Sequence, residues 1–300
     1  MNINMVVIIR IILTSLFLLN IKNSGVESIT FLTRNDLNLM DKVDNFERSP
    51  YELADKMEAR NNQAKNGQFP WMAAVHALYL DKVWTYRVCG GSIIAARWVL
   101  TAGHCVKNIK EFLVIFGDVD RRNSGYRTYD GPGVAMLATD SVIHPDYQIN
   151  VNDIALLYMP EDIPFGPTIK PIRLAGRNEV YKSYAGRQAL VLGWGGDGIS
   201  QTRRDSLQFG FLPIISQEKC FLDWDLPESV VCTAANTGVD ACKGDSGSPL
   251  VIDSNRYHDY LQIGIVSSGY DVECPSSRPG LYTRVDYFNE WIYFVTGIQY

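Results

Sequence analysis

The residue best suited to chemistry in this chain is a serine on a glycine-rich segment. Ser246 lies in the string Gly-Asp-Ser-Gly-Ser-Pro of residues 244–249, where a tight loop can expose the hydroxyl and turn a backbone N–H towards a reacting carbonyl. A neutral hydroxyl is a weak nucleophile and needs a neighbouring base. The string therefore predicts acyl transfer if the chain supplies that base; alone, it is also compatible with an ordinary turn.

A histidine and an aspartate are the candidates for the base and for the group that orients it. His104 follows the apolar run of residues 98–100 and precedes Cys105, so a strand and a disulfide would hold its ring. Asp153 opens the apolar run of residues 154–157. An aspartate in that place is often a turn residue, but a carboxylate buried against the Nδ1–H of a histidine fixes the tautomer of the ring.

These three residues occur in the order His, Asp, Ser, within segments that resemble the trypsin/chymotrypsin family of serine endopeptidases. The segments are Thr101–Cys105, Asp153–Leu157 and Asp240–Leu250. Shorter matches support the resemblance: Gly67–Trp71, Cys89–Ser92, His144–Pro145, Gly193–Gly195 and Pro279–Tyr282. The likeness extends over about residues 57 to 298.

The resemblance assigns a role to each residue of the candidate site. It implies that Ser246 is the nucleophile, that His104 is the general base and then the general acid, and that Asp153 orients the histidine, in the mechanism that this family exemplifies. The backbone N–H groups of Gly244 and Ser246 would form the oxyanion hole. The expected activity is cleavage of peptide bonds through an acyl-enzyme intermediate.

The same resemblance indicates which substrates bind. Asp240 lies six residues before Ser246, where the trypsin-like branch has a carboxylate at the base of the primary pocket, and we expect it to pair with Arg or Lys of the substrate. Three further residues would line that pocket: Ser267, Gly269 and Gly280.

Two neighbours of the expected pocket affect the residues on either side of the cleaved bond. Ser268 stands where the family usually has an aromatic residue, so we expect an altered preference upstream of the bond. Lys243 at the pocket rim would disfavour basic residues downstream of it.

Asp245 connects the candidate site to zymogen activation. In this family, cleavage after Arg or Lys releases an apolar N-terminus, whose ammonium pairs with the aspartate that precedes the catalytic serine. In this chain the corresponding start falls on Glu58, which is a poor residue to bury. Cleavage between Lys56 and Met57 would give an apolar start that is one residue longer. Without it, the chain would be a catalytically silent or zymogen-locked homologue with a binding or regulatory role.

Six cysteines favour disulfides over a metal site. The chain has no Cys-x-x-Cys pair of the kind that binds metal, and an even number in a secreted protein indicates three disulfides. Their spacing alone leaves the connectivity open. The resemblance implies the pairs Cys89–Cys105, Cys220–Cys232 and Cys242–Cys274.

The segments that carry these residues have the sequence pattern of β-strands. Short β-rich runs alternate with turn signals, which predicts an all-β protein; a buried helix is the alternative for the apolar runs, but they are too short. The runs are 71–80, 91–94, 97–101, 112–117, 153–158, 189–193, 207–214, 249–252, 261–267 and 280–284. The resemblance implies two packed six-stranded Greek-key β-barrels with the site between them.

A helix is expected only at the end of the chain. Apolar residues at i, i+3, i+4 and i+7 indicate one amphipathic face; they are Phe288, Trp291, Ile292 and Val295. Asp286 stands ahead of them as the expected N-cap.

The N-terminal residues indicate secretion. Residues 5–21 are largely apolar but include Arg10, which predicts a signal peptide over 1–25, with an uncleaved membrane anchor as the alternative. Residues 26–56 are polar and lack cysteine, as in a pro-segment or linker. The protease domain would then span 57–300.

Composition narrows the range of partners. A hydrophobic share of 46% and a charged share of 20% are typical of a globular protein. The net charge of -5 gives no electrostatic argument for binding nucleic acid, and no basic run suggests a membrane surface. We expect a secreted, extracellular monomer that needs no cofactor and whose partners are protein or peptide substrates and protein inhibitors. No metal site is assigned: Asp118 follows Gly117 where the calcium loop of the resembled family begins, but no convincing set of acidic ligands follows it, and calcium binding stays open.

Overall fold

The computed structural model describes residues 62–79, 85–179, 182–196, 204–254, 259–268 and 274–300. They form two antiparallel β-sheets with few helices. The expected signal peptide, the expected pro-segment and the Lys56–Met57 bond all lie outside the described residues.

The strands are β1 (Asn62–Gln63), β2 (Met72–Leu78), β3 (Tyr86–Ala95), β4 (Trp98–Thr101), β5 (Phe112–Phe116), β6 (Val134–Ala138), β7 (Asp140–Ile143), β8 (Ala155–Tyr158), β9 (Arg173–Leu174), β10 (Gln188–Gly193), β11 (Gln208–Pro213), β12 (Val230–Thr233), β13 (Pro249–Ser254), β14 (Asp259–Ser268) and β15 (Gly280–Arg284). The helices are α1 (Gly103–Val106), α2 (Gln217–Asp223) and α3 (Asn289–Thr296). Two 3₁₀ turns cover Arg121–Asn123 and Val285–Phe288.

The first sheet closes into a barrel. Its strand order is β6-β5-β2-β3-β4-β8-β7, and the two edge strands, β6 and β7, are separated in the chain only by Thr139. One continuous segment therefore joins both edges, so that the sheet has six strands, one of them interrupted. Because β5 returns to lie beside β2 after the meander β2-β3-β4, the connection is a Greek key.

The second sheet closes in a similar way. Its strand order is β1-β11-β10-β13-β14-β15-β12, with β9 parallel to β14. A bridge between Ile214 and Thr233 joins the ends of β11 and β12. Apart from the two-residue strands β1 and β9, this sheet also has six strands, and β13 returns beside β10 as in a Greek key. The predicted pair of six-stranded barrels is confirmed.

A buried hydrogen bond links the two sheets. Ser92 on β3 donates its hydroxyl to Oε1 of Gln262 on β14 at 2.7 Å, and both residues are fully buried. Buried polar groups are costly unless they are paired. The contact therefore favours one fixed arrangement of the two sheets, and the candidate site depends on that arrangement.

The predicted C-terminal helix is confirmed as α3, but the predicted N-cap is wrong. Phe288 occupies the N-cap position and makes no side-chain capping bond. The 3₁₀ turn before the helix places Asp286 beside Arg284, whose Nη2 lies 2.8 Å from Oδ2 of the carboxylate. In the described part of the chain, no helix is long and apolar enough to cross a membrane.

Candidate active site

His104 is fixed by three connections. It lies on the one-turn helix α1, directly after β4, and the disulfide Cys89–Cys105 joins this turn to β3. Arg87 on β3 donates a 2.7 Å hydrogen bond from Nη1 to the carbonyl oxygen of His104. The ring itself stays accessible, because 27% of the side-chain surface is exposed.

Asp153 holds the inner edge of this ring. It lies just before β8, which pairs with β4, and only 2% of its side chain is exposed. Its Oδ2 is 2.7 Å from His104 Nδ1, and its Oδ1 accepts the backbone N–H of His104 at 2.8 Å. An ionised carboxylate can only accept, so this contact places the proton on Nδ1 and leaves Nε2 free to act as a base.

Two hydroxyls from the second sheet hold the aspartate in turn. Ser267 on β14 donates to Asp153 Oδ2 at 2.6 Å, and Thr283 on β15 donates to the Asp153 carbonyl oxygen at 2.9 Å. Ser267, which we expected to border the substrate pocket, thus directs its hydroxyl to the aspartate. Thr283 was missed, because a threonine within a strand gives no distinctive sequence signal.

The loop that carries Ser246 packs directly on the first sheet. The Ser246 carbonyl oxygen accepts the N–H of Gly90 on β3 at 2.7 Å. At Gly247 a Cβ atom would overlap the carbonyl oxygen of Gly90 and the hydroxyl of Thr101, so only glycine permits this approach. The close packing places the serine loop against the strand end that leads to His104.

One sulfur atom, Cys105 Sγ, lies close to both the serine and the histidine. Cys105 Sγ lies 3.6 Å from the Ser246 carbonyl oxygen and 3.7 Å from His104 Nε2. The backbone of Ser246 and the free nitrogen of the ring therefore both contact this sulfur atom, while Asp153 holds the opposite nitrogen.

Two backbone amides of the serine loop are available to a ligand. Within the described residues, the N–H groups of Gly244 and Ser246 make no hydrogen bond. Their neighbours do: Asp245 N–H donates to Cys242 O at 2.9 Å, Gly247 N–H to Val266 O at 2.8 Å and Ser248 N–H to Asp245 O at 2.9 Å. The free pair is the one expected to form the oxyanion hole.

Asp240 and Gly280, expected at the primary pocket, are neighbours. A Cβ atom at Gly280 would lie 3.2 Å from Asp240 Oδ1. The carboxylate accepts the N–H of Ala241 at 2.8 Å and that of Ser276 at 2.9 Å, and burial nevertheless raises its pKa above the ordinary value. A cation that entered this space would offset the cost of burying the charge. Gly269 lies outside the described residues.

The three disulfides form as the resemblance implied. They join Cys89 to Cys105, Cys220 to Cys232 and Cys242 to Cys274. The third disulfide connects the serine loop to the segment that contains Ser276.

With this geometry established, comparison with known proteins decides the family. Residues 59–292 match the family model described as Trypsin. The chain belongs to the trypsin family. Serine protease 1 of Drosophila melanogaster is 35% identical to it over 215 residues, which are 71% of this chain and 77% of the relative. Venom protease of Bombus pensylvanicus is 33% identical over 230 residues, covering 74% and 92% of the two chains.

A solved structure agrees with the family assignment. The structure titled HL collagenase aligns with a TM-score of 0.70 and 29% identity, covering 80% of this chain and 99% of its own. The protein is thus a serine endopeptidase with the fold of its family.

Asp245 of this trypsin-family protease is buried and 7% exposed. Its Oδ1 accepts the Gly195 N–H at 2.6 Å, and its Oδ2 accepts the Cys242 N–H at 2.8 Å. The glycines on either side of Trp194 make room for the carboxylate, because a Cβ atom at Gly193 would overlap it.

Burial raises the pKa of Asp245 to about 6, although the two N–H groups and the charge of Arg204 act in the opposite direction. No cation in the described part of the chain lies within ion-pair distance of this carboxylate. The residues around Lys56, where its expected ammonium partner would arise, lie outside the described ranges.

Asp118, which begins the segment corresponding to the family's calcium loop, is bonded within the protease itself. Its carboxylate accepts the Asp120 N–H at 2.8 Å, the Tyr129 hydroxyl at 2.8 Å and the Asn123 amide at 3.2 Å. These three donors fix the orientation of the carboxylate.

Proposed function

We propose that this trypsin-family endopeptidase is secreted and cleaves peptide bonds after Arg or Lys by means of Ser246, His104 and Asp153. The observation that carries the proposal is the 2.7 Å contact between His104 Nδ1 and Asp153 Oδ2, next to a serine loop with two unused amides. This contact supports a ring whose Nε2 is a base, and that base is what a serine hydroxyl requires.

The chemistry then follows in two steps. His104 Nε2 accepts the Ser246 proton as the hydroxyl oxygen attacks the substrate carbonyl, and the N–H groups of Gly244 and Ser246 stabilise the oxyanion. The protonated ring next gives its proton to the leaving amine, and an acyl-enzyme remains. Water attacks this ester with the same base, which releases the acid product and restores Ser246.

The preference for Arg or Lys rests on Asp240. The carboxylate is partly buried, has no ion-pair partner within the described residues and lies beside Gly280, where a Cβ atom would come within 3.2 Å of its Oδ1. A cationic side chain of the substrate would pair with it, whereas an apolar one would leave a buried charge uncompensated. The expected side chain is therefore basic.

A second candidate function follows from Asp245. In an active member of this family an N-terminal ammonium pairs with this aspartate, whereas the residue at the usual start of the mature chain is Glu58. This departure favours a zymogen-locked or silent homologue that binds partners without cleaving them. Processing at Lys56–Met57 would instead supply an ammonium and favour the active enzyme.

Secretion is supported by the sequence of residues 1–25 and by the three disulfides, which persist in oxidising compartments. A relative named as a venom protease agrees with it. Protein substrates and protein inhibitors are the proposed partners, and we expect a monomer.

The test combines N-terminal sequencing of the processed protein with an assay on peptides that differ only at the cleaved residue. The series should include Arg, Lys, Leu, Phe and Ala, because a solved relative is titled a collagenase. We expect processing before Met57 and cleavage after Arg and Lys. The Asp240→Ser variant should lose cleavage after both residues. A processed protein that cleaves no peptide would support the silent homologue, and cleavage after Leu or Phe alone would exclude the proposed specificity.

A further inference from the structure

Two basic side chains flank the disulfide beside His104. Arg87 lies two residues before Cys89 on β3, and Lys107 lies two residues after Cys105, just beyond α1. Both are exposed. Because β3 pairs regularly with β2 at this point, side chains two residues apart share a face of the strand. Arg87 therefore extends from the disulfide on the same side of the sheet.

Both cations are held in place without being neutralised. Arg87 bonds to the His104 carbonyl oxygen and lies 5.9 Å from the centre of the Tyr79 ring. The Lys107 ammonium lies 5.0 Å from the centre of the Tyr147 ring. No carboxylate of the described residues lies within ion-pair distance of either side chain, including the exposed Asp146 next to Tyr147. Their positive charge thus faces solvent close to the catalytic histidine.

The chemistry of the reaction places one half of the substrate over these cations. His104 returns its proton to the leaving amine, so the segment after the cleaved bond begins beside Nε2, which lies 3.7 Å from Cys105 Sγ. The acyl half is anchored in the second sheet at Asp240. The leaving segment must therefore run over the disulfide on the first sheet.

The offset of Arg87 from the disulfide corresponds to two residues of an extended peptide. Two residues of extended chain span about 7 Å, which is also the distance that separates residues 87 and 89 along β3. An acidic side chain on the second or third residue after the cleaved bond would come near Arg87 or Lys107. Lys243, which is exposed on the serine loop, adds a third positive charge at the other edge of the same path.

We propose that Arg87 and Lys107 select substrates with acidic residues among the first three positions after the cleaved bond. This proposal rests on the proposed function, because it assumes cleavage of an Arg or Lys bond at Ser246. The contacts are exposed, so each acidic residue should raise kcat/KM by about two- to fivefold. The gain should shrink at about 0.5 M salt, where screening is strong.

The test uses the processed protein and two peptides with the same acyl half ending in Arg. One continues Ala-Asp-Glu-Ala and the other Ala-Asn-Gln-Ala, so that only charge differs and no new basic site is created. We expect kcat/KM to be about four- to twentyfold higher for the acidic peptide. Cleavage of both peptides at equal rates would overturn this proposal and leave the proposed function intact. Cleavage of neither would overturn the proposed function itself.

Variants assign the effect to the two side chains. R87Q/K107Q should abolish most of the preference, whereas Lys170→Gln, which removes one exposed positive charge elsewhere, should keep it. An Arg amide with a small neutral leaving group has no peptide segment after the cleaved bond. It therefore distinguishes recognition of that segment from positioning of His104. K107Q alone, which keeps the Arg87 bond to the His104 carbonyl oxygen, should cleave this amide as the wild type does and should lose part of the preference for the acidic peptide. In R87Q/K107Q, a loss on this amide as large as the loss on the acidic peptide would show that Arg87 acts through the His104 carbonyl, and it would overturn the proposal.

Discussion

The hydroxyl of Ser267 donates a 2.6 Å hydrogen bond to Asp153 Oδ2, the same oxygen that lies 2.7 Å from His104 Nδ1. The two residues come from different sheets and are 114 positions apart in the chain. Orientation of the His104 ring therefore depends on how the second sheet meets the first, as well as on the strand that follows Asp153.

Replacing Ser267 should weaken catalysis without unfolding the protein. A hydrogen bond to a charged group contributes about 1.5 to 3 kcal/mol, so Ser267→Ala should lower kcat/KM on an Arg amide by about tenfold or more. Ser254→Ala is the matched control, because Ser254 is also a buried serine in this sheet but bonds to Arg173. Equal activities of the two variants would contradict the role given to Ser267.

Much of the fold could be predicted from local patterns. All ten β-rich runs fall on strands, because turn signals bound each one. β6, β7 and β12 were missed, as were the two-residue strands β1 and β9. β7 (Asp140–Ile143) alternates only between exposed and half-buried positions, so no buried face marks it. β12 is buried throughout but is only four residues long. The prediction that Asp286 caps the helix was wrong for a different reason. The 3₁₀ turn before the helix places this carboxylate beside Arg284, and that turn was not predicted.

The candidate site was predictable as a set of residues but not as a network. Short motifs identify His104, Asp153 and Ser246, since each motif is local. The contribution of Thr283 depends on a contact across 130 positions of the chain. Likewise, the sequence indicates that Asp245 needs a cation, but it does not indicate that two backbone N–H groups already hold the carboxylate.

Asp245 should make stability depend on pH. Its pKa is raised from 3.8 to about 6 by burial, so the folded protein holds this proton more tightly than the unfolded chain. The contribution of Asp245 to the free energy of unfolding is therefore fully present below about pH 4. As the pH rises to 6, about 3 kcal/mol of it is lost. Urea unfolding of the unprocessed protein between pH 4 and 7 measures it.

Asp245→Asn is the control for this pH dependence, because an amide does not titrate in this range. The variant should be less stable overall, since it loses an acceptor, but its free energy of unfolding should fall less steeply between pH 4 and 6. If the free energies of unfolding of the two proteins changed with pH in parallel, the Asp245 carboxylate would not have a raised pKa.

The disulfides should differ in their effect on activity. The loops closed by Cys242–Cys274 and Cys220–Cys232 have separations of 32 and 12 residues, so removing either pair should cost about 3 to 4 kcal/mol of stability. Only Cys242–Cys274 joins the serine loop to the Ser276 segment that bonds to Asp240. Serine substitution of this pair should therefore lower kcat/KM for Arg at least about tenfold, and substitution of the other pair should not.

Filling the space beside Asp240 should impair binding of basic side chains. In Gly280→Ala the new Cβ would lie 2.8 Å from the Thr233 hydroxyl and 3.2 Å from Asp240 Oδ1. We expect KM for Arg and Lys amides to rise by about tenfold, because the pocket is narrowed. Gly166→Ala is the control, since a Cβ atom there meets nothing within 4 Å. An unchanged KM in Gly280→Ala would place the pocket elsewhere.

The most direct test of the account is kcat/KM of the processed protein on a peptide with a single Arg, compared between Ser246→Ala and Ser248→Ala. Ser248 is a fully buried serine two residues further on, so the second variant controls for disturbance of the loop. We predict a loss of about ten thousandfold or more in Ser246→Ala and near wild-type activity in Ser248→Ala. Cleavage that persists in Ser246→Ala, or a processed wild type that does not cleave, would contradict the account.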